Sequence, residues 1–228
     1  MRPLTTNGIV PASNFPVEAY EAVHSKVVKK WSAHQLYDHY AGSWNALAYR
    51  FQGATIAGAA FNQSITEFGT SPSPLERYRQ EHELFSFFIC GFSAFESAFY
   101  TAFTFGAFIA PTDFPLTTPK DQQRVSPAQT ADIYKRAFAS DPILDVFSTL
   151  FADSAYQQWR EVRNVLTHRT APGRRMFVSI GDDETPGVEW KLNNIPLDTN
   201  LVPNRQHELG RLVGELVSGL DIFLIGRI

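Results

Sequence analysis

Cysteine is almost missing from this chain, with Cys90 the only one in 228 residues. It lies inside an apolar run, so neither an intrachain disulfide framework nor an all-cysteine metal site can be built. A reducing cytoplasm fits that usage. A surplus of positive charge is missing too: 20 Lys and Arg stand against 23 Asp and Glu, a net charge of −3. With no global field to attract a polyanion, any contact with nucleic acid has to be local. The chain also lacks a G-x-S-x-G elbow, a Gly-rich phosphate loop, an H-E-x-x-H pair and a C-x-x-C pair, so several large enzyme classes lose their signatures. A carboxylate-bridged di-metal bundle wants two Glu-x-x-His pairs on separate helices, and only Glu21 and His24 provide one. His34, Asp38 and His39 bring ligand-type side chains close in sequence. The two histidines, however, are about 140° apart around a helix, and the group reads as a solvated face. Neither a metal nor a cofactor is expected.

What is present describes one folded domain. The chain is 44% hydrophobic and 19% charged, with mean hydropathy −0.18, values typical of globular proteins. The first 16 residues hold one Arg and no apolar stretch long enough for a signal core, so the chain is expected to be unexported. Residues 1–15 are expected to form a loose arm before a single domain at 16–228. A first helix is predicted over 16–31, with Asn14 as its cap. A second, at about 34–68, carries Gly42, Ala46, Gly53, Ala54, Ala57 and Gly58, small residues that let another helix approach. Ser73, Pro74 and Glu76 open a third helix reaching residue 110, about 55 Å at ~1.5 Å per residue.

Within the third helix, residues 84–110 hold nine of the 19 Phe and a single charge, Glu96. That run is long enough to span a bilayer. It has no Lys or Arg flank and carries a carboxylate at its middle, so a buried helix at the centre of a bundle is expected, with no membrane. Phe85, Phe88, Phe92, Phe95, Phe99 and Phe103 recur at the seam spacing of a lengthwise packed helix. A polar loop is predicted over 111–127, then a fourth helix from Pro127, a break at Ser140-Asp141-Pro142, and a fifth helix from 143 to about 167. Two strand-like runs around GDDETPG predict a β-hairpin at about 176–193. A last amphipathic helix is predicted at about 203–225. The expected fold class is mainly α: a helical bundle with long antiparallel helices and one small hairpin near the C-terminus.

The chemistry concentrates at the end of the fifth helix. Between Arg160 and Arg175 the chain has five Arg (160, 163, 169, 174 and 175) and His168 against the lone Glu161, formally +4 in an acidic protein. Arg donates two parallel hydrogen bonds to phosphate, and His exchanges a proton near neutral pH. Arg169, Arg174 and Arg175 are the predicted phosphate binders, and Arg160 a supporting residue. A plain structural role also accounts for part of the cluster, since cations near a helix C-terminus complement its dipole and His168 can cap carbonyls there. Arg163 and His168 diverge by about 140° in an unbroken helix, so one site takes both only if the helix ends near Thr167. Glu96, the one carboxylate of the Phe-rich helix, needs a cationic partner, and Arg163 and the other Arg are equal candidates.

Arg163 followed by Asn164, with His168 five positions after the Arg, resembles the R-x(4–6)-H motif of the HEPN superfamily. The likeness extends to the setting, a late helix in an α-helical bundle covering roughly 32–169. What it implies is a metal-independent endoribonuclease of toxin–antitoxin or phage-defence type, with Arg163, Asn164 and His168 as the catalytic set. It also implies a homodimer acting on RNA, with an antitoxin or other protein as a possible partner. Two other readings stay open: a non-catalytic HEPN-like module that dimerises and binds a nucleotide, nucleic acid or protein, and a membrane-associated protein using residues 84–110.

Overall fold

The computed structural model describes residues 13–169, 171–177, 187–192 and 194–227. Among them are eight helices and a small antiparallel sheet ordered β1-β2-β3, so the fold is mainly α. The two longest helices, α2 (Tyr37–Phe68) and α3 (Pro74–Ile109), form the frame. Their contacts run in opposite directions along the two sequences: Ser43 bonds Thr101 at 2.7 Å, Arg50 reaches Ser97, and Gly53 faces Cys90. The helices are therefore an antiparallel pair, brought close by the small residues of α2. By length and composition α3 is apolar enough to cross a membrane, and 61% of its most apolar window is buried by the rest of the chain.

Ser73 caps α3 by accepting from the Glu76 N–H, with Pro74 in the first turn, as the sequence predicts. The Phe seam is buried from Phe88 to Phe103, but Phe85 is 40% exposed and Phe87 takes its place in the core. A strict seam spacing drifts around a straight helix, which moves one end of the stripe outward.

The first helix, α1 (Val17–Trp31), packs on the last, α8 (Leu201–Leu224), with Lys26 paired to Asp221 at 2.7 Å. Asn14 does not cap α1; its Nδ2 donates to the Gln206 carbonyl, and the residue packs against Gly210. Phe15, 4% exposed, enters the core, so the end of the expected loose arm is pinned, and residues 1–12 lie outside the described residues. The predicted polar loop after α3 buries Phe114 and Leu116 and holds a short helix, α4 (Pro119–Arg124). A capping box between Thr118 and Asp121 nucleates it. Helix α5 (Pro127–Ala137) follows, and its buried Tyr134 donates to the Ala102 carbonyl of α3 at 2.6 Å.

The predicted fifth helix is two, α6 (Ile143–Ala152) and α7 (Ser154–His168). Asp153 makes the break: its Oδ1 accepts from the Ala155 and Tyr156 N–H groups at 2.7 and 3.4 Å, and its Oδ2 from Arg211 at 2.7 Å. An Asp gains more from capping orphan amides than from a place inside a helix. Burial raises the pKa of this carboxyl, but the Arg211 pair and the amide bonds outweigh it and hold the group below its ordinary value. Its stabilising effect is therefore full above the unfolded pKa, ~3.9, and is lost as pH falls through the lower folded one. Asp153→Ala should cost about 1 kcal/mol at pH 7 by urea denaturation. The gap from the parent should narrow as pH falls from ~3.9 through the lower folded pKa; a gap that does not narrow would show that the carboxylate charge is not its source.

Strand β1 (Arg174–Phe177) pairs antiparallel with β2 (Gly187–Leu192). A third strand, β3 (Ile195–Pro196), extends the predicted hairpin through a turn in which Asn194 has φ 66°. The predicted turn GDDETPG lies outside the described residues up to Pro186. Trp190, 3% exposed, sits against Phe61 and fastens the sheet to α2.

Candidate functional site

Helix α7 crosses α3 where α3 has no side chain. Trp159, fully buried between Phe87 and Phe88, lies over Gly91. One turn further along α7, Arg163 meets α3 again. Its Nη2 donates to Glu96 Oε1 at 2.7 Å, and its guanidinium carbon lies 4.4 Å from the Phe92 ring centre. Of the arginines open to Glu96 from the sequence, Arg163 is the one that pairs with it. Ser93 Oγ holds the other carboxylate oxygen at 3.3 Å. With side-chain exposures of 23% for Arg163 and 38% for Glu96, the pair is open to water and adds about 1 kcal/mol or less to stability. Its effect is orientation: a carboxylate and an aromatic face hold a planar guanidinium in one plane. Arg163 Nε is buried and has no hydrogen-bond partner among the described residues.

The rest of the motif does not join Arg163. Helix α7 continues through His168, and Arg169 closes it by donating its N–H to the Val165 carbonyl at 2.9 Å. The expected helix end at Thr167 therefore comes too late to turn His168 back, and the two residues diverge by about 140° within one chain. His168 is exposed and makes no hydrogen bond, ion pair or ring contact among the described residues. Asn164 is half-buried on α7. Arg160 is exposed, one turn before Arg163 and close enough to Tyr156 to act on it; burial holds that phenol far above its ordinary pKa, with Arg160 opposing.

Of the three predicted phosphate binders, Arg174 and Arg175 line one pocket with Glu189 and Lys191, and Arg169 is not part of its lining. Arg169 and Arg175 are exposed. Arg174 is committed elsewhere: it donates to the Thr70 carbonyl at 3.0 Å and to Gln80 Oε1 at 2.8 Å, and stacks 3.9 Å over Trp190. Gln80 is fully buried, and its Nε2 binds the Ser64 and Gly69 carbonyls, so Arg174 latches the sheet onto the α2–α3 turn. Arg174→Ala should cost about 1–3 kcal/mol by stranding the buried Gln80 oxygen. Protection of the β1–β2 amides in hydrogen exchange should fall with it; unchanged protection would remove the latch.

Arg50, which the sequence reading missed, stands across α3 from Arg163. Its Nη1 donates to Ser97 Oγ and to the Ser93 carbonyl at 3.1 Å, while its other nitrogens have no acceptor among the described residues. Arg50 and Arg163 thus both meet the middle of α3, Arg50 at Ser93 and Ser97 and Arg163 at Phe92 and Glu96. Arg50 also ends a cleft of about 540 Å³ between α2 and α3, walled on one side by Val125, Ser126 and Pro127. His39 stands at the other end, its Nδ1 3.0 Å from Tyr100 Oη. His39 is therefore half-buried in a wall, not part of a solvated face, whereas Asp38 is exposed at the rim. His34 turns elsewhere, its ring against Phe108. A signal for this face was present, since positions 39, 43, 46 and 50 recur at helical steps, but it lay among small residues that also read as packing surface.

Among the described residues no group of three or more His, Cys, Asp or Glu converges. In comparisons with known proteins, no family model, no curated protein and no solved structure matches the chain.

Proposed function

We propose that this protein is a metal-independent endoribonuclease of the HEPN type, a cytoplasmic homodimer of the toxin–antitoxin or phage-defence kind that a partner protein restrains. The observation that carries this reading is Arg163, its guanidinium oriented by Glu96 and Phe92, followed on the same helix by an exposed, unengaged His168. In the reaction a ribose 2′-hydroxyl attacks the adjacent phosphorus as the bond to the 5′-oxygen breaks. His168 serves as general base or acid. Arg163 stabilises the charge on the phosphorane, and Asn164 orients the histidine or the phosphate. The products are a 2′,3′-cyclic phosphate and a 5′-hydroxyl. Because Arg163 and His168 of one chain diverge, a site holding both takes one from each of two chains across a two-fold axis.

A second reading rests on the same ion pair. A guanidinium already engaged by a carboxylate is a poorer phosphate ligand, which favours a HEPN-like module that dimerises and binds a nucleotide, nucleic acid or protein without cutting it. Incubation with labelled RNA and its 2′-deoxy counterpart in EDTA separates the two. Cleavage of RNA alone, with cyclic-phosphate ends, is the expected result, because DNA has no 2′-hydroxyl. Intact RNA across a varied panel, with the protein folded and free of any inhibitor, would leave the binding module.

A further inference from the structure

The cleft of about 540 Å³ between α2 and α3 lies outside the Arg163–His168 pair. Its lining mixes polar side chains with Ala46, Val125 and Pro127, and its two ends differ in chemistry. At one end Arg50 offers nitrogens with no protein acceptor among the described residues, suited to a phosphate oxygen. At the other end His39 and Tyr100 bridge α2 and α3 as a pair of tilted rings 6.2 Å apart, a surface on which a base can stack. Burial raises the Tyr100 pKa, so the phenol keeps its proton. His39 Nδ1 and Tyr100 Oη share a hydrogen bond at 3.0 Å, and His39 Nε2 has no partner among the described residues. Asp38 at the rim adds an acceptor for a ribose hydroxyl or an exocyclic amine.

The two carboxylates do not cancel this chemistry. Glu96 is engaged by Arg163, and Asp38 lies at the far end from Arg50. His39 and Arg50 are eleven residues apart on α2, a span of about 16 Å, room for a nucleoside and its phosphate. The space between them stays open because Gly42 faces it, with no atom within 4 Å of where a Cβ would lie.

We propose that this cleft binds a nucleotide of the RNA strand next to the scissile phosphate, with its base on the His39–Tyr100 wall and its phosphate on Arg50. The inference rests on the RNA-directed reading above and adds a path to it. From Arg163 the strand crosses α3 beside Glu96, passes Arg50 and enters the cleft. The same chemistry would take a free mononucleotide.

The test uses the full chain with His168→Ala, so that RNA stays intact, and fluorescein-labelled single-stranded RNA in anisotropy titrations. Gly42→Leu puts a side chain into the cleft from a position where a Cβ meets no atom within 4 Å, and Arg50→Gln removes the phosphate ligand. Each should weaken RNA binding by about tenfold, the scale of losing one stacked base or one charged contact. Arg50→Gln should also lower the log–log salt slope by about 0.7, which a merely structural role would not do. A 4-thiouridine in the RNA should crosslink to the peptide carrying Tyr100. Competition by uridine or adenosine monophosphate would make the free nucleotide the ligand; competition by unlabelled RNA alone would make it the strand. If both variants, each with an unchanged unfolding midpoint, bind RNA like the parent, the cleft proposal is overturned, and cleavage by the wild type would still support the nuclease. If the wild type cuts nothing but RNA binding falls in both variants, the nuclease falls and the cleft stands. If neither RNA nor mononucleotide binds, both are wrong.

Discussion

His168→Ala should reduce RNA cleavage by about 10²–10⁴-fold, the range a positioned general acid or base contributes. Its unfolding free energy should stay within about 0.5 kcal/mol of the parent, because the side chain is exposed and makes no hydrogen bond, ion pair or ring contact among the described residues. Arg163→Ala should lose about 10²–10³-fold, the scale of one removed transition-state donor. Arg163→Lys should not rescue it, since an ammonium cannot span Glu96 and a phosphate in one plane. The divergence of the two residues makes a sharper expectation. When His168→Ala and Arg163→Ala chains are mixed and allowed to exchange, each mixed dimer regains one intact site if Arg and His come from different chains. Activity should return to about a quarter of the parent value, since half the dimers are mixed and each has one good site. Parent-like cleavage by His168→Ala would take the histidine out of the chemistry. Activity in the parent without recovery on mixing would place both residues in one chain, after a rearrangement of the end of α7.

The second large effect is structural and falls at the α3–α7 crossing. A Cβ at Gly91 would lie 2.3 Å from Trp159 Cζ3, and Trp159 cannot retreat, being fully buried against Phe87 and Phe88. Gly91→Ala should therefore cost about 1–3 kcal/mol despite the gain in helix propensity. Trp159→Ala should cost about 3–5 kcal/mol by opening a cavity. The two changes should not add, because alanine at 91 fills space that the lost indole leaves; a coupling of about 0.5–3 kcal/mol is expected in a double-mutant cycle. At about 2–4 °C per kcal/mol for a domain of this size, thermal melts resolve all three variants. A parent-like melting temperature for Gly91→Ala would mean that the helices do not approach this closely. The crossing matters for function because the same helix carries Arg163 and His168: a shift at Trp159 moves the guanidinium off Glu96.

Most of the helical frame was legible because its signals are local. Ser73-Pro74 with Glu76 marks the start of α3, Ser126-Pro127 that of α5, and the small residues of α2 announce a close partner. Local signals also explain what was missed. Thr118-Pro119 with Asp121 is a capping box inside a stretch read as loop, and Asp153-Ser154 is an N-cap inside a stretch read as helix. Hydrophobic periodicity alone carried across both. Within the candidate site, a cationic partner for Glu96 was foreseeable because a lone carboxylate in an apolar helix has to find one, but not that it would be Arg163. The commitment of Arg174 was not: nothing in its neighbours says that Gln80, 94 residues away, waits with an unfilled oxygen.

The sequence by itself determined the helical class, the burial of the Phe-rich helix and the concentration of Arg and His at one helix end, since composition, periodicity and capping act over a few residues. Only the tertiary structure decided which of those Arg are free. Arg174 is latched, Arg163 is held by Glu96, and Arg50, on a helical stripe that also reads as packing surface, lies beside α3 because antiparallel packing brings position 50 next to 93 and 97. That difference has a physical cause. A charged side chain's role depends on the partner that meets it in space, and residues scores of positions apart are brought together by packing, which no window along the chain contains.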